Sequence, residues 1–310
     1  MREPVEQGAS MSGEHVNVFE LELELPDAHL AELAKRLVGF ETRYAKLKKH
    51  FQLLMDLEGL EAWSKKLYGK RIPLLDALAD RYPLVVFHGD VGTGKTAMAE
   101  TIANGMARDL KKNATLFKLS TRVRGGGNVG EMSMLINRAF EVVMRAAGKA
   151  KSSFLIIDEG DSLAASRNNQ QSHHEDKVAV NTLIQKIDDA RRSGGRVLVF
   201  LCTNRFASLD PAIVRRAGHT EEFRRPTSEE REELFRMDCR ELSLSEGSLS
   251  ELVRLTGPQE SGRLGFTFSD IRTRLLPGAL GKAFPDRKLT ADDLLEAARS
   301  VPPTPSLGEA

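Results

Sequence analysis

The chain has 310 residues, 41% of them hydrophobic, enough for a sizeable core in one large or two ordinary domains. A formal net charge of +1 gives no whole-chain electrostatic case for nucleic acid, and the absence of a run of about eighteen apolar residues excludes a membrane-spanning helix. Two cysteines, Cys202 and Cys239, in a chain without an apolar leader fit reduced thiols in a cytoplasmic protein.

Residues 1–14 are polar and rich in charge, Gly, Ser and Pro, and read as a disordered tail. Phe19 to Leu25 (FELELEL) alternates apolar and acidic residues, the pattern of an edge strand with one wet face. From Pro26-Asp27 onward, Leu30, Leu33, Leu37, Phe40, Tyr44, Leu47 and Phe51 recur every three or four residues and predict a helical packing stripe. Shorter helices are expected over Glu58 to Leu67 and Pro73 to Asp80, and Tyr82-Pro83 stops the second.

Leu84 to Phe87 is an apolar run of the kind found in a strand buried on both faces. Gly89-Asp90-Val91-Gly92-Thr93-Gly94-Lys95-Thr96 follows, matching the phosphate-loop pattern G-x-x-x-x-G-K-[ST], and a helix is expected over Ala97 to Asp109. In such a loop the backbone N–H groups and the helix N-terminus surround a phosphate, the lysine reaches its oxygens, and the hydroxyl holds magnesium. Strands are then expected at Thr115 to Leu119, Phe154 to Ile157 and Arg196 to Leu201, with helices over Glu131 to Ala147, Asp176 to Arg192 and Asp210 to Ala217. Strand alternating with helix predicts an α/β, doubly wound parallel sheet. From Thr227 the periodicity is helical throughout, giving a small C-terminal helical domain. The expected divisions are residues 1–14, 15–78 (strand and helical segment), 79–226 (α/β domain), 227–301 (helical lid) and a tail over 302–310.

Asp158 and Glu159 end the third buried strand, where ligands of an open α/β sheet sit. Asp158 is placed to hold magnesium and Glu159 to take a proton from an attacking water. Asn204, after the fourth strand, can hydrogen-bond that water or a phosphate. Arg215 and Arg216 follow a short predicted helix, as a solvated face or as arginines reaching a neighbouring subunit's phosphates. His173 and His174 lie in a polar loop without further ligand spacing, so no metal beyond nucleotide-bound magnesium is assigned.

GDVGTGKT, FLIIDEGDSL, CTN and LDPAIVRRA, in this order and ahead of a helical lid, resemble an AAA+ ATPase over about residues 80–300. IIDEGDSLAASR, KVAVNTLIQKID and IVRRAGHTEEF are most similar to the pachytene-checkpoint, or thyroid-receptor-interactor, ATPases that remodel HORMA-domain proteins. The resemblance implies a homo-hexamer binding ATP and Mg2+ between subunits. Lys95, Thr96, Asp158, Glu159 and Asn204 would then act in cis and Arg215 and Arg216 in trans, with Arg216 the first choice. Thr121 to Gly130 would line a central pore, with Val123, Arg124, Gly125 and Gly126 meeting the client. Bacterial members partner HORMA proteins that control a nucleotidyltransferase, a cyclic-oligonucleotide synthase, in antiphage defence.

Three departures stand out. Gly125-Gly126 replaces the aromatic of many pore loops, Gly218-His219-Thr220-Glu221 replaces a second arginine, and the lid's nucleotide-sensing arginine is Arg272 or, in competition, Arg263. Residues 1–78 are also short for the recruiting domain of relatives. The alternative reading is a nucleic-acid-linked AAA+ ATPase, a loader or translocase, with Arg122 and Arg124 on phosphates.

Overall fold

The computed structural model describes residues 18–120, 130–148, 151–164 and 174–306. Its centre is a six-stranded sheet of β1 (Phe19–Leu25), β2 (Leu84–Gly89), β3 (Asn113–Leu119), β4 (Lys151–Ile157), β5 (Val197–Thr203) and β6 (Ala217–Phe223). The strands lie in the order β1-β3-β4-β5-β2-β6. β3, β4, β5, β2 and β6 run parallel, and β1 joins the β3 edge antiparallel.

The sheet separates two apolar cores, which explains the continuous hydrophobic runs. On β2, Leu84 and Val86 enter one core while Val85 and Phe87 enter the other. β4 divides in the same way, with Leu155 and Ile157 on one side and Phe154 and Ile156 on the other. A strand covered on both faces by crossover helices cannot alternate polar and apolar residues. The first core is roofed by α6 (Glu131–Ala146) and α7 (His174–Arg191). The second is roofed by α1 (Ala28–Lys35), α2 (Phe40–Met55) and α5 (Lys95–Leu110). α3 (Leu57–Tyr68) and α4 (Leu74–Ala79) connect α2 to β2.

The α/β fold read from the sequence holds. Three local readings change. The stripe from Leu30 to Phe51 is two helices, because Gly39 takes a left-handed φ of 69° and breaks the run before Phe40. The polar segment AGHTEEF, which gave no strand signal, forms β6 after a four-residue α8 (Pro211–Val214). An edge strand needs only one covered face, and its buried Glu221 is paired with Arg43 and Lys46 of α2.

The third change concerns the C-terminus. α9 (Ser228–Asp238), α10 (Glu246–Leu255), α11 (Leu276–Ala283) and α12 (Ala291–Ser300) surround a third core that includes Phe235, Phe266 and Val38. Residues 302–306, read as tail, instead lie against this helical unit and the phosphate loop, through Thr304 on Asp270 and Ser306 on Asp90.

Candidate functional site

The C-terminal ends of β2, β4 and β5 converge on one edge of the sheet. Gly89 closes β2 so tightly against β6 that a Cβ would stand 2.0 Å from the Phe223 carbonyl oxygen. The chain then turns through Asp90 to Gly94 into α5, whose N-terminus faces the loop. The Thr93 hydroxyl donates to the Asp90 carbonyl at 2.7 Å and braces the turn. Lys95 folds back over the loop, its ammonium donating to the carbonyls of Gly89 at 3.1 Å and Asp90 at 2.7 Å. These are contacts an anionic ligand can replace. Burial pushes the Lys95 ammonium below its usual range, and the carboxylates of Asp158, Asp90 and Asp161 pull the other way.

Thr96 and Asp158 meet across 62 residues of chain, the hydroxyl donating to the carboxylate at 2.8 Å. A hydroxyl and a carboxylate side by side, below a phosphate cradle, are the hard oxygen donors that suit magnesium. The backbone N–H of Glu159 donates to the other Asp158 oxygen at 2.9 Å. Glu159 itself takes a left-handed φ of 49° and presents an exposed carboxylate beyond the sheet edge. The Thr203 hydroxyl donates to Asp161 at 3.0 Å, tying the end of β5 to the turn after β4, and Asn204 is the next residue.

The lid contributes the remaining wall. The Ser269 N–H donates to the Gly92 carbonyl at 3.1 Å. Gly92 has φ of 74°, and a Cβ there would meet Thr267 and Ser269 at 2.8 Å. Arg272 lines a small cavity with Leu37, Val38, Thr93, Gly94, Met98 and Phe268, while its guanidinium holds Asp238 at 2.6 and 3.0 Å. Arg263 instead donates to the Val301 carbonyl at 3.1 Å and stacks over Phe266. Of the two lid arginines, Arg272 is therefore the one beside the phosphate loop. Leu37 belongs to the predicted packing stripe and Val38 does not, yet ahead of the break at Gly39 both line the cavity beside Thr93 and Gly94. That glycine inside an otherwise regular stripe was the available signal.

Two expected site residues are engaged elsewhere. The Asp90 carboxylate faces Arg225 and Ser306, at 2.7 and 3.2 Å, so this residue lends the loop its backbone and not its side chain. Arg216, the first choice for a trans-acting arginine, is folded onto its own chain. It binds Asp188 of α7 at 2.6 and 3.0 Å and the Ala212 carbonyl at 3.0 Å. Arg215 is exposed and makes no ion pair among the described residues. Val123, Arg124, Gly125 and Gly126 lie outside the described residues.

Comparison with known proteins agrees with this geometry. Residues 85–225 match the family model of the ATPase family associated with various cellular activities, AAA. CD-NTase-associated protein 6 of Escherichia coli strain KTE188 is 51% identical over 294 residues, covering 94% of this chain and 98% of that protein. The fold is similar to a chain in the solved E. coli MS115-1 HORMA:CdnC:Trip13 complex, with a TM-score of 0.86 and 40% identity over 93% of this chain and 97% of that one. Rhizobiales Trip13 matches with a TM-score of 0.71 and 33% identity, covering 93% and 99%.

Proposed function

From a chain that belongs to the AAA ATPase family, among its CD-NTase-associated protein 6 and Trip13-like members, we propose a hexameric ATP-driven remodeller of a HORMA-domain protein. The observation that carries this reading is the likeness, across nearly the whole chain, to the Trip13 of a HORMA:CdnC:Trip13 complex. The client belongs with a nucleotidyltransferase of antiphage defence, and the setting is the cytoplasm. Among the described residues, no helix is long and apolar enough to cross a membrane.

The chemistry assigned to each residue follows from its place. The loop from Gly89 to Thr96 surrounds the β- and γ-phosphates of ATP, and Lys95 exchanges its backbone carbonyls for phosphate oxygens. Thr96 and Asp158 hold Mg2+, which when bound offsets charge on those phosphates. Glu159 takes a proton from water as the water oxygen bonds to the γ-phosphorus and the bond to the β-phosphate oxygen breaks, giving ADP and phosphate. Asn204 orients the water, and Arg272 reads the nucleotide from the lid. Arg215, exposed, reaches the γ-phosphate of the next subunit, whereas Arg216 keeps α8 and α7 together. Val123 and its neighbours in the 121–130 loop grip the client, and turnover pulls a segment of it into the pore.

The test is ATP hydrolysis with and without a HORMA-domain protein encoded beside this chain, together with the state of that protein's complex. Hydrolysis should rise with the HORMA protein, and the complex should come apart only with ATP. Glu159→Gln should bind ATP and assemble yet leave the complex intact. A HORMA complex untouched by active enzyme sinks the client assignment, and normal turnover by Glu159→Gln removes Glu159 as the base.

A further inference from the structure

Residues 302–306 read Pro-Pro-Thr-Pro-Ser, and they cross from the end of α12 to the phosphate loop. Three prolines fix φ, so the segment is stiff before it docks and little backbone freedom is lost when it does. Its root is held by Arg263, which donates to the Val301 carbonyl. At its middle, the Thr304 N–H and hydroxyl donate to the two oxygens of Asp270 at 3.1 and 2.6 Å. Asp270 is 1% exposed and also accepts from the Thr267 N–H, in the stretch that packs on Gly92. At its end, Ser306 donates to Asp90 inside the phosphate loop.

One guanidinium closes this network. Arg225, in the connector between β6 and α9, donates at once to the Asp90 carboxylate (2.7 Å), the Gly265 carbonyl (2.6 Å) and the Thr304 carbonyl (2.7 Å). Phosphate loop, lid and C-terminal segment therefore share a single planar donor whose reach is fixed. A carboxylate at Asp90 stands where incoming phosphates bring negative charge, and Arg225 with Ser306 offsets it. The lid cannot move away from the loop without pulling Arg225 off Gly265 and Thr304, or off Asp90.

We propose that residues 302–306 are a strap that positions Asp90 and Arg225 and thereby sets the rate of nucleotide release. The proposal rests on the nucleotide site argued above. Asp90 and Arg225 act through the phosphate loop and are positioning residues, not catalytic ones. With the strap removed, the lid swings freely and ADP escapes faster.

The experiment follows a fluorescent ADP analogue as excess ATP displaces it, using the full chain, a chain ending at Val301, the double variant Thr304→Val with Ser306→Ala, and Asp90→Asn. Release should quicken by about tenfold or more in each variant, as expected for the loss of one or two hydrogen bonds to charged groups. In the shortened chain and the Thr304→Val, Ser306→Ala variant, KM for ATP should rise in parallel while kcat stays within about twofold, a split that general destabilisation does not produce. Combining Asp90→Asn with the shortened chain should give less than the product of the separate effects, because both break the same network. Release within about twofold of the full chain in the folded double variant overturns the strap, as do fully multiplicative effects. Should the shortened chain fail to fold, the side-chain variants decide. A full chain that does not bind the analogue overturns the nucleotide site itself.

Discussion

At the scale of single residues, the site is organised by charge held in a confined space. Lys95 is 7% exposed, and this burial lowers the affinity of its ammonium for protons despite the carboxylates nearby. A bound polyphosphate restores that affinity, because only the charged form attracts the phosphate oxygens. Nucleotide binding should therefore take up a proton on the alkaline side, and affinity should fall as pH rises through the value of the free site. Calorimetry of ADP binding at about pH 9, in two buffers of different ionisation enthalpy, should show net uptake. Net release, or affinity unchanged from about pH 7.5, would contradict this role for Lys95. Such a residue was legible in sequence because the phosphate-loop residues are contiguous. The same holds for Asp158 and Glu159. The partners of Asp90 and Arg216 were not, since Arg225 lies 135 residues from Asp90 and Asp188 lies 28 from Arg216. A side chain's long-range partner is set by the fold, and no local pattern announces it.

At the scale of elements, the central strands were legible because burial on both faces writes itself as a run of apolar residues. β6 was not, for the converse reason. It covers one side only, and its inward Glu221 is neutralised from α2, so neither alternation nor hydrophobicity marks it. The junction of loop and lid was hidden in the same way, since Gly92 reads as an ordinary loop glycine until Thr267 and Ser269 are seen to occupy the space of its missing side chain. Gly92→Ala combines a left-handed φ with a clash against two lid residues. Strain of this kind costs about 1–3 kcal/mol, and here relief comes from lifting the lid off the loop. We expect ADP affinity to drop by about tenfold or more while the melting of the sheet, followed by far-ultraviolet circular dichroism, moves by only a few degrees. A variant with unchanged ADP affinity would show that the lid contact on Gly92 is incidental to binding.

At the scale of the whole molecule, the proposed hexamer would divide each site between two subunits. Lys95, Thr96, Asp158 and Glu159 gather at one sheet edge, whereas Arg215 stands exposed at the end of α8 without an ion pair among the described residues. An arginine used within its own subunit would be held as Arg216 is, by a carboxylate and a carbonyl. An exposed guanidinium beside a restrained one suits the proposed head-to-tail interface, in which each copy would offer a group to the next. That arrangement makes a prediction that a cis-acting arginine cannot meet. Lys95→Ala should lack ATP binding, and Arg215→Ala should bind ATP but hydrolyse it at least about a hundredfold more slowly. Mixed one to one before assembly, the two dead variants should regain activity, because roughly a quarter of the interfaces then join an intact loop to an intact arginine. The recovered rate should be largest at that ratio and should vanish when one variant carries both substitutions. If mixed rings, verified by pulling one tagged variant down with the other, stay inactive, Arg215 does not act across the interface.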